Sequence, residues 1–504
     1  MKLNTTIITK KLPYILPIAL VITAAFFRLW RISELTEFLG DQGRTGMVIY
    51  DAWRTGILPL AGPTVLSGQH LGPFFYYLIG LPFIIGGFNP VIPSAFVAVL
   101  GIVSVYVLYQ IASRLWGLWI GWSVAMLLAV AAYLLRADRT IWEPSVIPVF
   151  VLLYFWCVYS LFEHRRYWYL LPMGAIVGIL VQLHYPNIFF IGLSIGVLLL
   201  LLIRRKTPKK TVLLWFSAGI AGFFVILSPF LWYEARHAWI DLREMAIILV
   251  GGGSGGQASY TYWERLMDAS SKLFGYLAPE APKWFIAALQ LFVLAAAFWR
   301  RTFWSIFLAA WYVVGIVSIG LYRGVIFDHY LFFLLPLPYL LLGHAVWSLR
   351  KYIPVYMIIG LMGLFVVVNV RRTDVLSPGP KDVSRVQRIV AEVLTSAKDQ
   401  PFSFTLTSSR SFSDLHYRYF FKLADVEPKP ITEASYSTLF LICDLEPCPT
   451  ADQMRQKPRV QALCFEPHCK GTYPTVDLSN WELKTMLYAS EGRIYMFQPS
   501  GERR

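Results

Sequence analysis

The sequence predicts a polytopic α-helical membrane protein of about eleven spans that continues into a C-terminal extracytoplasmic α/β domain. The 504 residues are 57% hydrophobic and only 15% charged, whereas a soluble chain would carry nearer a quarter charged residues. Long apolar runs recur up to about residue 370, and such runs form the helices that cross the hydrocarbon core of a bilayer. The composition after residue 370 is mixed, which indicates a second domain.

Short basic clusters set the predicted topology. Besides Lys2, Lys10 and Lys11, basic residues interrupt the apolar runs at Arg114, 164–166, 204–210, 300–301 and 350–351. Because cytoplasmic loops are enriched in Lys and Arg, we place these clusters and the N-terminus in the cytoplasm. The net charge of +15 then reflects topology and contact with anionic lipid, so no nucleic-acid partner is expected.

The apolar runs between the basic clusters are predicted to be membrane helices. They lie near 12–30, 91–113, 117–135, 146–162, 168–186, 188–203, 212–231, 284–299, 303–320, 330–349 and 352–370. The apolar segment 73–88 is short and broken by Gly and Pro, and counting it would place every later basic cluster outside. We therefore treat it as juxtamembrane or re-entrant. The prediction is a multi-pass protein of the cell (plasma or inner) membrane, with its C-terminus outside.

Three external regions follow from this topology, namely the loops 31–90, 136–145 and 232–283. The third loop contains the glycine run 251–256, which is typical either of a mobile gating loop or of a solvated linker. The predicted domains are residues 1–370, which form the transmembrane part, and residues 371–504, which form the extracytoplasmic part.

The C-terminal domain shows both helix and strand patterns. Residues 383–397 are predicted to form an amphipathic helix, and the alternating runs 402–407 and 438–442 are predicted strands. Four of the five cysteines lie here, at Cys443, Cys448, Cys464 and Cys469. Outside the cytoplasm such a set indicates two disulfides, with a four-cysteine zinc site or free thiols as alternatives. Cys157 lies in an apolar run and is interpreted as a packing residue.

Charged and aromatic residues gather in three external segments. They are Asp41, Arg44, Asp51, Arg54, Gln69 and His70; then Arg136, Asp138, Arg139, Trp142 and Glu143; then Tyr322, Arg323, Phe327, Asp328, His329 and Tyr330. Arginine forks bind phosphate oxygens, carboxylates deprotonate or orient hydroxyls, and aromatic rings provide apolar faces with polar edges. Together they suit a substrate that has a phosphate, a sugar and a lipid tail.

Structural roles compete with most of these assignments. Arg136 and Arg139 could anchor a helix end among the lipid headgroups, with Asp138 as their salt-bridge partner. Asp51 and Arg54 could form a surface pair on one helix. His70 could have a role in a turn, His184 a role at the interface, and the aromatic residues 74–77 could face the membrane as a belt. Asp41 has no basic partner set by spacing except Arg44. A carboxylate at a membrane boundary is costly and is a functional candidate by default, so Asp41 is the principal candidate.

At these residues the chain resembles the GT-C superfamily, in its branch of dolichyl-phosphate-mannose protein mannosyltransferases and lipid A aminoarabinose transferases. The resemblance is carried by Gly40-Asp41-Gln42-Gly43-Arg44 after the first span, His70-Leu71-Gly72-Pro73 before a short helix, and 328–336 before a late span. It covers roughly residues 10–370. Many relatives have Asp-Glu where this chain has Asp41-Gln42, and glutamine does not titrate. Any role of that second acid is absent here or is supplied by Asp138 or Glu143.

The resemblance implies transfer of a sugar from a polyprenyl-phosphate donor to an acceptor hydroxyl on the extracytoplasmic face, with Asp41 as general base. The implied phosphate- and lipid-binding residues are Arg44, Arg139, Arg323, His329 and Tyr330, and those that position the acceptor or the sugar are Gln42, His70, Asp138 and Glu143. No cofactor is expected to be required, with a divalent metal as the alternative. The acceptor is a lipid, a glycan or a protein. A flippase for lipid-linked glycans and a non-catalytic receptor or scaffold are the rival functions.

Overall fold

The computed structural model describes residues 5–65, 68–205, 207–250, 261–322, 324–433, 436–464, 474–490 and 492–500. The glycine run 251–256, Arg323 and Cys469 lie outside these ranges. The described helices are α1 (Thr5–Leu29), α2 (Ile32–Leu35), α3 (Gly40–Thr55), α4 (Phe74–Ile85), α5 (Val91–Trp116), α6 (Leu118–Ala129), α7 (Ala132–Ala137), α8 (Ile147–Glu163), α9 (Leu170–Leu183), α10 (Phe189–Ile203), α11 (Lys209–Arg236), α12 (Ile240–Val250), α13 (Tyr262–Gly275), α14 (Lys283–Trp299), α15 (Phe303–Gly320), α16 (Pro336–Leu349), α17 (Val355–Arg372), α18 (Asp382–Ala397), α19 (Leu415–Leu423) and α20 (Ala451–Arg455).

Each of the eleven predicted spans contains helix, and the interval 117–135 is divided between α6 and α7. Within the described ranges, five helical segments are long and apolar enough to cross a membrane: Val91–Trp116, Glu143–Glu163, Tyr185–Ile203, Lys209–Arg236 and Phe303–Gly320. Five shorter apolar helices accompany them. The multi-pass helical architecture is therefore observed, and the number of spans stays a prediction.

The segment 73–88 forms the short helix α4, as its composition predicts. Its 12 residues extend about 18 Å at 1.5 Å per residue, which is less than the ~30 Å hydrocarbon core of a bilayer. Pro82 lies inside the helix, where a missing backbone donor weakens the helical hydrogen bonding. This length agrees with a juxtamembrane or re-entrant helix.

The chain forms two compact units. The first contains Met1–Trp30, Leu58–Pro82 and Ser94–Ser377, and the second contains Arg31–Ile57, Phe83–Pro93 and Pro378–Arg504. The segment 31–57, which the sequence analysis groups with the membrane part, thus belongs with the C-terminal residues. The physical reason is the close packing of α3 on α19 inside the second unit.

Aromatic side chains form much of the core of the first unit. Tyr154 and Phe155 on α8, Phe190 on α10 and Trp311 on α15 are buried and in mutual ring contact. Large rings bury much apolar surface each, and edge-to-face pairs add about 0.5–1.5 kcal/mol beyond that burial. Cys157, on the same helix as Tyr154, is a buried free cysteine, in agreement with a packing role.

The second unit contains a mixed four-stranded sheet. Its strands are β1 (Phe402–Ser408), β2 (Thr438–Cys443), β5 (Trp481–Ala489) and β6 (Gly492–Pro499), in the order β1-β2-β6-β5, while β3 (Arg459–Gln461) and β4 (Thr475–Asp477) form a separate pair. β1 and β2 are parallel and the other pairings are antiparallel. Since parallel neighbours need a crossover, α19 lies between β1 and β2 in the chain. The predicted helix and both predicted strands are confirmed.

Three of the four C-terminal cysteines, those within the described ranges, are disulfide-bonded, as an even set of cysteines predicts. Cys443 and Cys448 are bonded to each other, and Cys464 is also disulfide-bonded. A site in which all four cysteines bind zinc is therefore not present. The sulfurs lie next to the buried strand β2, so the bond links the end of this strand to the following turn.

A buried histidine makes the stability of the second unit sensitive to acid. His416 on α19 is fully buried; burial, aided by the positive charge of Arg385, lowers its pKa from 6.5 to about 3. The unfolded chain therefore takes up a proton between pH 6.5 and 3 that the folded chain does not. Stability is fully present above pH 6.5 and falls, by up to about 1.4 kcal/mol per pH unit, as pH drops through this window.

This pH dependence is measurable by hydrogen exchange of the β2 amides, corrected for the intrinsic exchange rate. We expect protection to decrease from pH 7 to pH 5 in the wild type, and to decrease less in His416→Leu, which removes the titrating ring. Equal losses of protection in the two proteins would contradict the assignment to His416.

Candidate active site

Asp41 lies in the first turn of α3, in the second unit. Its Oδ1 is 3.1 Å from Nη2 of Arg44, one turn further along, and the two side chains are 31% and 29% exposed, respectively. An acid in the first turn interacts favourably with the positive end of the helix dipole. The carboxylate is thus held at a helix start and remains accessible to a substrate.

Gln42 fixes the start of the same helix. Its Oε1 accepts a hydrogen bond from the backbone N–H of Leu39 at 2.9 Å, and the side chain is buried. This bond satisfies one of the backbone donors that a helix N-terminus leaves unpaired. A neutral amide makes this bond without adding a second charge beside Asp41. Gln42 therefore has a structural role at the start of α3.

The other charged residues of α3 do not pair as their spacing suggests. Asp51 binds Nζ of Lys422 at 2.5 Å, and the guanidinium of Arg54 lies 5.9 Å from the ring centre of Tyr50. The surface pair between Asp51 and Arg54 is replaced by a long-range contact with α19.

In the first unit, Arg139 is buried at 1% exposure and forms an ion pair through Nη2 with Asp374. Its Nε and Nη1 have no hydrogen-bond partner among the described residues. A guanidinium offers five donors, and buried donors that stay unpaired cost free energy. Arg136, one turn earlier, is exposed. Of these two arginines, Arg139 is therefore the one with unused donors in a buried position.

Asp138 is engaged by an arginine far away in sequence. Nε of Arg28 donates to its Oδ2 at 2.8 Å, and both side chains are buried. Arg28 also donates to the backbone oxygens of Ala129 at 2.9 Å and Leu128 at 3.4 Å. Asp138 thus forms a salt bridge with Arg28, a residue far from it in sequence. Glu143 is buried at the start of a 3-10 turn.

His70 is part of a polar cluster that the sequence analysis missed. Its Nδ1 lies 3.2 Å from Oδ2 of Asp241 and 3.4 Å from the hydroxyl of Tyr233, while the Tyr185 hydroxyl donates to its backbone oxygen. Asp241 is buried, and so is Glu234 in the last turn of α11. Acids in or beside an apolar span are functional candidates, and this signal in the loop 232–283 was available.

The structure brings the second and third predicted clusters together within the first unit. The ring of His329 lies 4.6 Å from that of Trp142 and 5.2 Å from that of His184. Tyr330 is 4.9 Å from His184, and Phe327 stacks on His329 at 5.8 Å. These rings, from loops far apart in the chain, form one aromatic cluster that can contact a sugar face or a lipid chain.

The described residues contain no group of three or more His, Cys, Asp or Glu side chains that could hold a metal ion. The sequence prediction on cofactors therefore stays a prediction.

The fold is similar to that of ArnT in two solved structures. ArnT from Cupriavidus metallidurans in the apo state matches with a TM-score of 0.60 and 11% identity, over 96% of this chain and 97% of that chain. The same enzyme bound to undecaprenyl phosphate matches with a TM-score of 0.60 and 12% identity, over 97% and 98% of the two chains. At this level of identity, the likeness establishes the shared fold.

Residues 70–233 match the family of dolichyl-phosphate-mannose-protein mannosyltransferases. No curated protein matches the chain significantly. The matched range begins at His70, in the segment His70-Leu71-Gly72-Pro73 on which part of the predicted resemblance to this family depends.

Proposed function

We propose that this protein transfers a sugar from a polyprenyl-phosphate donor to an acceptor hydroxyl on the extracytoplasmic face of the membrane, with Asp41 as general base. The observation that carries the proposal is the accessible Asp41 carboxylate on a helix start fixed by Gln42. The chain that presents it shares its fold with an enzyme solved with undecaprenyl phosphate.

In the proposed step the acceptor oxygen attacks the anomeric carbon while the bond from that carbon to the phosphate oxygen breaks. The acceptor proton passes to Asp41, and the polyprenyl phosphate leaves with the electron pair of the broken bond. Attack from the side opposite the leaving group inverts the anomeric centre. General base catalysis of this kind contributes typically ~10²–10⁴-fold to the rate.

The leaving phosphate needs cationic hydrogen-bond donors. Arg139 supports this role because Nε and Nη1 of its buried guanidinium are unpartnered in the described structure, and a guanidinium fork matches two phosphate oxygens. Donors in a water-poor site stabilise developing charge more strongly than donors in water. Arg44 and Arg323 are further proposed donors, of which Arg323 lies outside the described residues.

His70 and the aromatic cluster supply the proposed contacts with sugar and lipid. Asp241 binds Nδ1 of His70, which orients the ring and leaves Nε2 for a substrate hydroxyl or phosphate. His329 and Tyr330 lie in the aromatic cluster with Trp142. Asp138 is the weakest member of the proposed set, because its carboxylate is already bound by Arg28.

The proposed extracytoplasmic location of the C-terminal residues is supported by chemistry. Disulfides persist in oxidising compartments and are rare in the cytosol, and the bond between Cys443 and Cys448 fits the outer face. The basic loops are proposed to face the cytoplasm.

The direct test uses the purified protein in liposomes with a radiolabelled sugar on polyprenyl phosphate. We expect donor-dependent release of polyprenyl phosphate and labelling of an added lipid, glycan or protein acceptor. Movement of the intact donor across the bilayer without release would favour a flippase. Binding with neither release nor movement would favour a receptor, and either result would reject the proposed reaction.

We also propose that transfer requires no divalent metal, because Gln42 stands where many relatives have a second acid and it binds the Leu39 backbone instead. Transfer is expected to stay within about twofold after EDTA treatment and dialysis, since the general-base step needs only a proton acceptor. Loss of activity that returns with Mg²⁺, Mn²⁺ or Zn²⁺ would contradict this expectation.

A further inference from the structure

The helix that carries Asp41 contacts the C-terminal part of the second unit along one face of glycines. Gly40, Gly43 and Gly46 are spaced three apart, so they lie on the same side of α3. A Cβ at Gly43 would lie 2.5 Å from Cα of His416 and 2.5 Å from the backbone oxygen of Leu415. Because these are backbone atoms, α3 and α19 touch backbone to backbone at this position.

The two flanking glycines meet side chains. A Cβ at Gly40 would lie 2.0 Å from Oγ of Ser413, and a Cβ at Gly46 would lie 2.5 Å from the ring of Tyr419. Each glycine inside a helix costs roughly 0.5–1 kcal/mol relative to alanine. Three glycines lower the helix propensity of α3. The close contact of this helix with residues 411–419 is therefore the physical reason for their presence.

Polar and aromatic contacts fix both ends of the same helix. At its start, the N–H of Gly40 donates to Oγ of Ser411 at 3.1 Å and the N–H of Phe38 donates to Oδ2 of Asp382 at 3.4 Å. Asp382 is itself bound by Arg385 at 2.7 Å and Arg410 at 2.9 Å.

Towards the other end of α3, Asp51 binds Lys422. The ring of Phe38, before the helix, lies 5.4 Å from the ring of Tyr419. The first turn, the middle and the second half of α3 are thus each in contact with residues beyond 380.

We infer that residues 411–419 are a positioning element for Asp41, so that these C-terminal residues determine where its carboxylate lies. This inference rests on the proposed role of Asp41. Asp41 lies between Gly40 and Gly43, so a shift of α3 away from α19 moves its carboxylate directly. A displacement of about 1 Å can lower the rate of an oriented reaction by ~10²-fold.

The test compares Gly43→Ala with Gly192→Ala in the full-length protein. Gly192 lies inside α10, and an added Cβ there meets nothing within 4 Å, so the two variants carry the same change in helix propensity. We expect Gly43→Ala to lower kcat for donor-dependent transfer by ~10–100-fold, with the donor KM within about twofold. Gly192→Ala is expected to keep wild-type kinetics.

A rescue experiment separates positioning from general loss of folding. Gly40→Ala clashes with a side-chain oxygen, so Ser413→Gly, which removes that oxygen, is expected to restore at least half of the lost kcat in the double variant. The single variant Ser413→Gly is the baseline for this comparison. If Gly43→Ala does not fold, Gly40→Ala with and without Ser413→Gly still tests the inference. Wild-type kcat in Gly43→Ala, or no recovery in the Gly40→Ala and Ser413→Gly double variant, would overturn the inference.

The outcomes also separate this inference from the proposed function. If Asp41→Asn is fully active, the proposed role of Asp41 fails, and the positioning role fails with it. If Asp41→Asn is inactive while Gly43→Ala and Gly40→Ala both retain wild-type kcat, only the positioning role fails.

Discussion

Asp41→Asn is expected to lower kcat for sugar transfer by ~10²–10⁴-fold, the range that a general base contributes. The substitution keeps size and hydrogen-bonding capacity, and asparagine is tolerated at a helix start. The pair with Arg44 is about one third exposed, and such pairs stabilise a fold by at most about 1 kcal/mol. The loss is therefore expected in catalysis, with the thermal midpoint of unfolding little changed.

Asp452→Asn is the matched control, because Asp452 also lies in the first turn of a helix and pairs with an arginine three positions on, with its side chain 82% exposed. Its transfer rate is expected to stay within about twofold of wild type. The measurement is initial-rate release of polyprenyl phosphate by both variants at saturating donor. Equal activity of Asp41→Asn and wild type would reject Asp41 as the base, and a loss far beyond 10⁴-fold would indicate a second role.

Arg139→Gln is expected to lower kcat/KM for the donor by ~10²–10³-fold, the cost of losing one oriented donor to developing charge. Arg139→Lys retains the charge but loses the planar fork, so an intermediate loss is expected. The partner Asp374 is 43% exposed and can be solvated when the arginine is removed. For this reason the fold is expected to survive the substitution.

Two controls isolate phosphate binding from structural roles of Arg139. Arg136→Gln changes an exposed arginine on the same stretch and is expected to be close to wild type. Asp374→Asn removes the ion-pair partner and leaves the guanidinium in place. If Asp374→Asn reproduces the loss seen in Arg139→Gln, the arginine acts through its ion pair, and the proposed phosphate contact is wrong.

The helices and strands were predicted from local sequence patterns. The apolar runs gave helices at every predicted interval, and the alternating runs at 402 and 438 gave β1 and β2, because periodicity reflects which face of an element is buried. The even number of C-terminal cysteines predicted disulfides, and the structure provided the pairing of Cys443 with Cys448. No local pattern predicted the contact made by the glycines of α3, since helix propensity alone disfavours glycine in a helix.

The predicted partners of charged residues were less accurate, for a physical reason. Asp138 pairs with Arg28, 110 residues away, and His70 with Asp241, 171 residues away. Spacing identifies only neighbours on the same helix, whereas these partners are decided by how separate helices pack. The acids Asp241 and Glu234 could have been noticed from their place beside an apolar run.

The sequence by itself determined that this is a multi-pass membrane protein with a disulfide-bonded C-terminal part, and it singled out Asp41, which follows the first apolar run, as the principal candidate. Apolar length, charge sign and cysteine count are properties of a segment, and each has a direct physical consequence. Only the tertiary structure decided that α3 belongs to the unit formed by the C-terminal residues and packs on α19 through Gly43. Such contacts depend on backbone atoms more than 350 positions apart, whose approach no local pattern specifies.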